Sequence, residues 1–192
     1  MDAVKSGISV KEIYDILYKR YGPQDWWPAR TDFEVIVGAI LTQNTAWTNV
    51  EKAIESLRRE RLLSARALYD TSHAKLASLI RSAGYYNVKA KRLKHFLDFL
   101  FNEYGGDIRA LKKVETKVLR NKLLGVNGIG PETCDSIMLY ALEKPVFVVD
   151  AYTKRIFSRH GFLRTIHHTM RPRHILRSAF QKTSPPSMNI TR

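Results

Sequence analysis

The chain has 192 residues, long enough for one sizeable core or for two lobes that share one. Its 32 Lys plus Arg outnumber 18 Asp plus Glu, giving a net charge of +14 that points to a polyanionic partner, nucleic acid before an anionic membrane surface. A hydrophobic fraction of 44% excludes general disorder, seven Pro and ten Gly exclude a collagen-like chain, and the single Cys134 excludes an internal disulfide framework or a cysteine-only metal cluster.

The first predicted element runs from Ser9 to Tyr21. Ser9 and Glu12 have the spacing of a capping box, and Val10, Ile13, Ile16 and Leu17 share one face. Gly22-Pro23 ends it. A tryptophan-rich loop, Gln24 to Pro28, leads to Thr31 or Asp32 as the cap of a strongly apolar helix reaching Leu41. Further helical patterns cover about 46–61, 65–71, 74–83, 88–104 and 116–124, punctuated by Gly84, Gly105-Gly106 and Gly125. Only Pro145 to Val149 has strand-like composition, and it is too short to define a sheet. The expected class is all-α.

No apolar run approaches the ~18–20 residues that span a bilayer, and residues 1–7 do not form a signal peptide. A soluble, cytoplasmic protein is the expectation, with a monomer assumed. From Arg164 onward six basic residues meet no acidic one, among His167, His168, His174, Pro172, Pro185 and Pro186. That stretch, 164–192, reads either as a nucleic-acid-binding arm or as a disordered or altered terminus. Without it, 26 basic residues still face 18 acidic ones.

Residues 123–133 (Leu-Leu-Gly-Val-Asn-Gly-Ile-Gly-Pro-Glu-Thr) carry the most specific pattern. One helix ends at Gly125, a glycine-bounded turn follows, and Pro131 suits the first position of the next helix. Gly128 and Gly130 free the turn of side chains, so that backbone amides near Gly128, Ile129, Gly130 and Thr133 can meet a phosphate at a helix N-terminus. Val126 and Ile129 would anchor the turn in the core.

This stretch, followed by Val148-Val149-Asp150-Ala151-Tyr152 and Arg155, resembles the helix-hairpin-helix and Gly/Pro-Asp signature of the endonuclease III superfamily of DNA glycosylases. Ile40 to Thr45 resembles that superfamily's loop carrying a glutamine that probes the duplex. The resemblance implies a six-helix barrel over about 30–144, with the helix-hairpin-helix at about 116–142. A second lobe would combine 1–29 with the segment 145–163, and the active site would lie between the two.

Two departures narrow the branch. Bifunctional members carry a lysine two residues after the hairpin's last glycine, where this chain has Glu132. A carboxylate cannot form a Schiff base, so strand cleavage is not expected. The family's four-cysteine iron–sulfur loop is also missing, and neither a cofactor nor a metal is expected. No histidine shows recognised metal-ligand spacing.

Trp26-Trp27-Pro28, Trp47 after Gln43-Asn44-Thr45, and the Gly-Ile-Gly-x-Glu-Thr of the hairpin resemble the 3-methyladenine glycosylase branch. That resemblance implies a monofunctional enzyme that stacks an alkylated base between aromatics, with Trp26, Trp27 and Trp47 as the base pocket. By position in the signature, Asp150 is the expected catalytic carboxylate, and it also suits a helix cap. Glu132 either joins the site by hydrogen bonding or merely favours a helix N-terminus. Gln43 and Asn44 are read as duplex probe or as a buried amide network. Lys154 and Arg155 are candidates to touch the DNA backbone. For the cluster Lys89, Lys91, Arg92 and Lys94 the favoured reading is a solvated helix face, with a phosphate contact as the alternative. The partner expected is double-stranded DNA with damaged bases. Removal of another lesion and a non-catalytic DNA-binding module are the competing readings.

Overall fold

The computed structural model describes residues 10–22 and 27–159. Asp25, Trp26 and the basic stretch 164–192 therefore lie outside the described residues. The chain divides into two units, Trp27–Lys144 and a second formed by Met1–Trp26 with Pro145–Arg192.

The larger unit is helical throughout its regular elements: α2 Asp32–Leu41, α3 Trp47–Arg59, α4 Ala65–Asp70, α5 His73–Leu79, α6 Tyr86–Tyr104, α7 Ile108–Lys113, α8 Thr116–Gly125 and α9 Pro131–Ser136. A 3-10 turn, Arg81–Ala83, precedes α6, and a π-helical turn, Ile137–Ala141, continues α9. The α2 helix is the axis of the core, with every residue from Phe33 to Leu41 buried. It lies against α3, α6, α9 and the π turn. A helix hydrophobic on all sides must be surrounded by others, and burial of Ile36, Ile40, Leu57, Leu93, Phe96 and Leu100 supplies the driving force.

Local signals set the helix ends. The Thr31 hydroxyl accepts from the Glu34 N–H at 3.1 Å, and the Glu34 carboxylate accepts from the Arg30 N–H at 3.3 Å and from Arg58 at 2.6 Å. Ser64 and Ser72 cap α4 and α5. Gly105, left-handed at φ +62°, closes α6. The short α7, which no sequence pattern marks, is capped by Asp107 accepting from the Arg109 N–H at 2.9 Å.

The basic cluster of α6 corrects the sequence reading. Lys89 is only 1% exposed. Its Nζ donates at 2.7 Å to the Leu41 carbonyl, the Thr45 hydroxyl and the Ala83 carbonyl. Lys94 donates to the Leu68 and Tyr69 carbonyls at 2.9 and 2.7 Å and also to that of Thr71, closing the end of α4. Only Lys91 lies fully on the solvated face. The reason is periodicity: position 89 shares its face with Leu93, Phe96, Leu97 and Leu100, all buried.

In the other unit, α1 spans Val10–Tyr21 and α10 spans Ala151–Arg159. Pro145–Val149 is irregular, leading to Asp150. No helix among the described residues is long and apolar enough to cross a membrane.

Burial, and then the neighbouring Arg92 charge, lower the Lys89 pKa from the usual 10.5 to about 8. Between these values the unfolded chain holds a proton that the folded protein has released, so this residue's contribution to stability rises with pH. The wild type should therefore gain stability relative to Lys89→Met from pH 8 to pH 10, with no change in their difference below pH 8. Paired urea unfolding curves across this range check the sign, and a constant difference would reject it.

Candidate functional site

The hairpin between α8 and α9 is fixed from behind by side chains of two other elements. Gln43, in the turn after α2, donates its Nε2 to the Gly128 carbonyl at 3.0 Å and to the Thr133 hydroxyl at 2.9 Å. Arg92 of α6 donates to the Gln43 Oε1. That bond fixes which way round the amide sits, because a guanidinium only donates. His95, one turn further along α6, bonds the Asn127 carbonyl through Nδ1 at 3.1 Å. A carbonyl only accepts, so Nδ1 carries the proton.

These anchors orient the turn. The C=O and N–H of one peptide point in opposite directions, so holding the Asn127 carbonyl on His95 turns the Gly128 N–H away from α6. Gly128 has φ +91°, and a Cβ there would overlap Arg92 Cγ and lie 2.8 Å from its Cδ. Glycine is thus required twice, for its backbone angle and for the arginine stem against it. Val126 and Ile129 are buried beneath the turn. The Ile129 N–H closes the turn on the Val126 carbonyl at 3.0 Å rather than pointing outward. Gly130 is exposed and is the N-cap residue before α9, whose first-turn amides form the helix N-terminus. Thr133 is buried, with its hydroxyl bonded to Gln43, and Glu132 is exposed in the first turn of α9.

Gln43 is therefore built into the barrel. Asn44 is exposed at φ +52°. A second exposed left-handed residue, Tyr85 at φ +44°, heads α6 and is 76% exposed.

Three half-buried aromatics meet at one place in the same unit. The Trp27 and Tyr140 rings stack with centroids 5.3 Å apart and planes 17° apart, and Trp47 lies 5.4 Å from Trp27 at 60°. Trp47 donates its Nε1 to Glu51 at 2.8 Å. Gly38 makes the room, since a Cβ there would approach Trp27 Cζ2 to 3.2 Å. No sequence pattern singles out Tyr140. It sits in the π turn, where the Leu142 N–H reaches back five residues to the Ile137 carbonyl at 3.1 Å, and such a turn breaks the 3.6-residue phase that a sequence pattern relies on.

In the other unit, the half-buried Asp150 caps α10, its Oδ1 accepting from the Thr153 N–H at 2.6 Å. Lys154 and Arg155 are exposed on the same helix, and the Arg155 guanidinium lies over the Tyr152 ring at 5.2 Å. Cys134 is buried, its thiol pushed up to about 12 by burial and by the Asp135 charge beside it. It is a packing residue, not a nucleophile. Among the described residues no group of three His, Cys, Asp or Glu side chains comes together to hold a metal ion.

Residues 37–182 match the family model of the HhH-GPD superfamily of base excision DNA repair proteins. The chain belongs to this superfamily. A Methanocaldococcus jannaschii protein provisionally named a DNA repair glycosylase is 53% identical over 155 residues, covering 80% of this chain and 70% of that protein. Endonuclease III of Thermotoga maritima is 30% identical over 133 residues, 69% of this chain and 58% of its own length. Among solved structures, the 3-methyladenine DNA glycosylase of H. pylori bound to 1,N6-ethenoadenine has a TM-score of 0.73 at 30% identity, covering 91% of this chain and 81% of that one. A non-covalent endonuclease III–DNA complex has the same TM-score at 21% identity, covering 92% and 77%, and shares the fold. The protein is thus an HhH-GPD DNA glycosylase with the all-helical fold of its superfamily.

The Gly128 contact gives a direct test within this glycosylase. Gly128→Ala should lower stability by about 1–3 kcal/mol, since it combines a strained backbone with displacement of Arg92. Gly130→Ala, at φ −83° with nothing within 4 Å of its Cβ, should cost less than about 0.5 kcal/mol. Thermal unfolding of the two variants separates them, and equal losses would refute the packing argument.

Proposed function

We propose that the enzyme releases alkylated purines, of the 3-methyladenine type, from double-stranded DNA, and that it does so without cutting the strand. The observation that carries this reading is the half-buried aromatic cluster of Trp27, Trp47 and Tyr140. Aromatic faces bind an electron-poor, positively charged ring better than a neutral one, and N3-alkylated adenine is such a ring once turned out of the helix. The 1,N6-ethenoadenine bound by the H. pylori relative is itself a modified purine.

The chemistry needs little else. The C1′–N9 bond breaks, its electron pair passes into the purine and cancels the positive charge, and the sugar becomes oxocarbenium-like. Asp150 supplies a carboxylate to stabilise that charge. Its Oδ1 is held by the Thr153 amide, which fixes the group. Water then adds to C1′ and gives its proton to Asp150 or to solvent. Glu132 stands where a bifunctional relative has its lysine, and no carboxylate can form the Schiff base that precedes strand cleavage. At the head of α9 it stabilises the helix N-terminus.

DNA is held through the hairpin, by Gly128, Gly130 and the first turn of α9, with Lys154 and Arg155 adding contacts to the backbone. Asn44, exposed and left-handed, is the duplex probe. Gln43 serves it from behind by keeping the turn against the hairpin. Trp26 is assigned to the base pocket from its sequence position next to Trp27.

Methylated duplex DNA incubated with the enzyme should yield free 3-methyladenine by chromatography, with strand breaks only after alkali. Strand breaks without alkali would reject the monofunctional reading, and release of a different base would reject the lesion. Asp150→Asn should lower single-turnover base release by about a hundredfold or more while DNA affinity stays similar. Wild-type release by Asp150→Asn would remove this residue from the mechanism. Trp27→Ala should lower release by about tenfold, through lost stacking, with nonspecific binding unchanged. Equal release would place Trp27 in the core only.

A further inference from the structure

Lys89 is the most deeply buried charge among the described residues of the barrel, and the mechanism above does not use it. Its three ammonium protons meet three oxygens, each at 2.7 Å: the carbonyl of Leu41 at the end of α2, the hydroxyl of Thr45 in the turn that follows, and the carbonyl of Ala83 at the end of the 3-10 turn. The Thr45 hydroxyl also donates to the Ala83 carbonyl at 2.5 Å, which closes the triangle. The Lys89 backbone N–H bonds the Tyr85 carbonyl at 2.9 Å.

Both loops gathered here carry an exposed left-handed residue. Asn44 precedes Thr45, and Tyr85 follows Ala83 by two residues. Two further left-handed residues among those described, Arg61 and Glu143, have no bond to this network. A left-handed backbone at a non-glycine residue persists only where the surroundings hold it. Each tip lies within two residues of a group bonded to the same ammonium, Thr45 beside Asn44 and Ala83 before Tyr85. Taking a charge into an apolar core is unfavourable, and the fall of the Lys89 pKa to about 8 records that cost. The cost falls at a point where both turns can be reached from α6.

We infer that Lys89 is a positioning residue for base release, its ammonium holding the Asn44 and Tyr85 tips as one rigid unit that enters the duplex when the damaged nucleotide turns out. This rests on the proposed reading of Asn44 as the duplex probe. It does not depend on which base is released.

The test uses the full chain and a duplex carrying a tetrahydrofuran abasic analogue flanked by 2-aminopurine, whose fluorescence rises when stacking is broken. No lesion chemistry is involved. At saturating wild-type protein the fluorescence should rise. Thr45→Val removes the hydroxyl that joins the two loops and should lower the rise per bound complex by about threefold or more, the loss of one hydrogen bond. Thr45→Ser keeps the oxygen and should restore it. Affinity for undamaged duplex should stay within about twofold, because phosphate contacts are untouched. Lys89→Met, checked for folding by its melting curve, should behave like Thr45→Val; if it does not fold, the Thr45 pair decides.

A wild-type rise with Thr45→Val would overturn the proposal, as would failure of Thr45→Ser to rescue. No rise with the wild type would also overturn it, leaving alkylpurine release to stand on its own assay. A rise and rescue without release of 3-methyladenine would keep Lys89 in this role and discard the lesion assignment instead.

Discussion

An ammonium inside an apolar barrel must find an oxygen for each proton, and in this glycosylase the Lys89 ammonium finds them at Leu41, Thr45 and Ala83. The positions of the loops follow from that requirement. The end of α2, the turn carrying Gln43 and Asn44, and the approach to α6 cannot drift independently without leaving a buried charge unsatisfied. Gln43 extends the same arrangement to the hairpin through Gly128 and Thr133, and Arg92 fixes its amide. Three loops far apart in sequence are thereby tied to one helix, α6.

The helical class, most helix positions and the hairpin are legible in the sequence because they rest on local rules. Ser64 and Ser72 cap helices as serines before apolar runs do, and the turn at Gly128 needs its glycine as the pattern suggests. What escapes depends on facing across the fold. Lys89, Arg92 and Lys94 look like one basic face when counted as charges, yet Lys89 falls in phase with Leu93, Phe96 and Leu100. A lysine on the apolar stripe is the available signal. Tyr140 gives no comparable sign, since the π turn that places it is invisible to a 3.6-residue count. The tryptophans give half an answer. Trp27 and Trp47, two of the three that the sequence groups as a base pocket, do meet, and Tyr140, which no pattern marks, joins them.

The split of Gln43 from Asn44 shows why spacing alone leaves them undivided. Both are amides in one polar turn between apolar helices. A single left-handed residue at Asn44 sends one side chain outward and the other toward the hairpin, and asparagine tolerates that backbone better than most residues. Gln43 takes the buried-network reading, which leaves the exposed Asn44 for the duplex probe in the proposed function.

Charge then governs how the proposed reaction discriminates. A net charge of +14 draws the protein to any duplex, and contacts with phosphate convey no sequence. Selection must come after the nucleotide turns out, from the base itself. A purine alkylated at N3 is held by aromatic faces because it is positive, and the same positive charge makes it a good leaving group. Affinity and reactivity therefore increase together, and an ordinary adenine loses on both. A neutral lesion would need an acid to protonate it as it departs. The proposed reading asks only for an aromatic cluster and a fixed carboxylate, which is why Asp150 can begin the reaction ionised and gives no proton to the departing base.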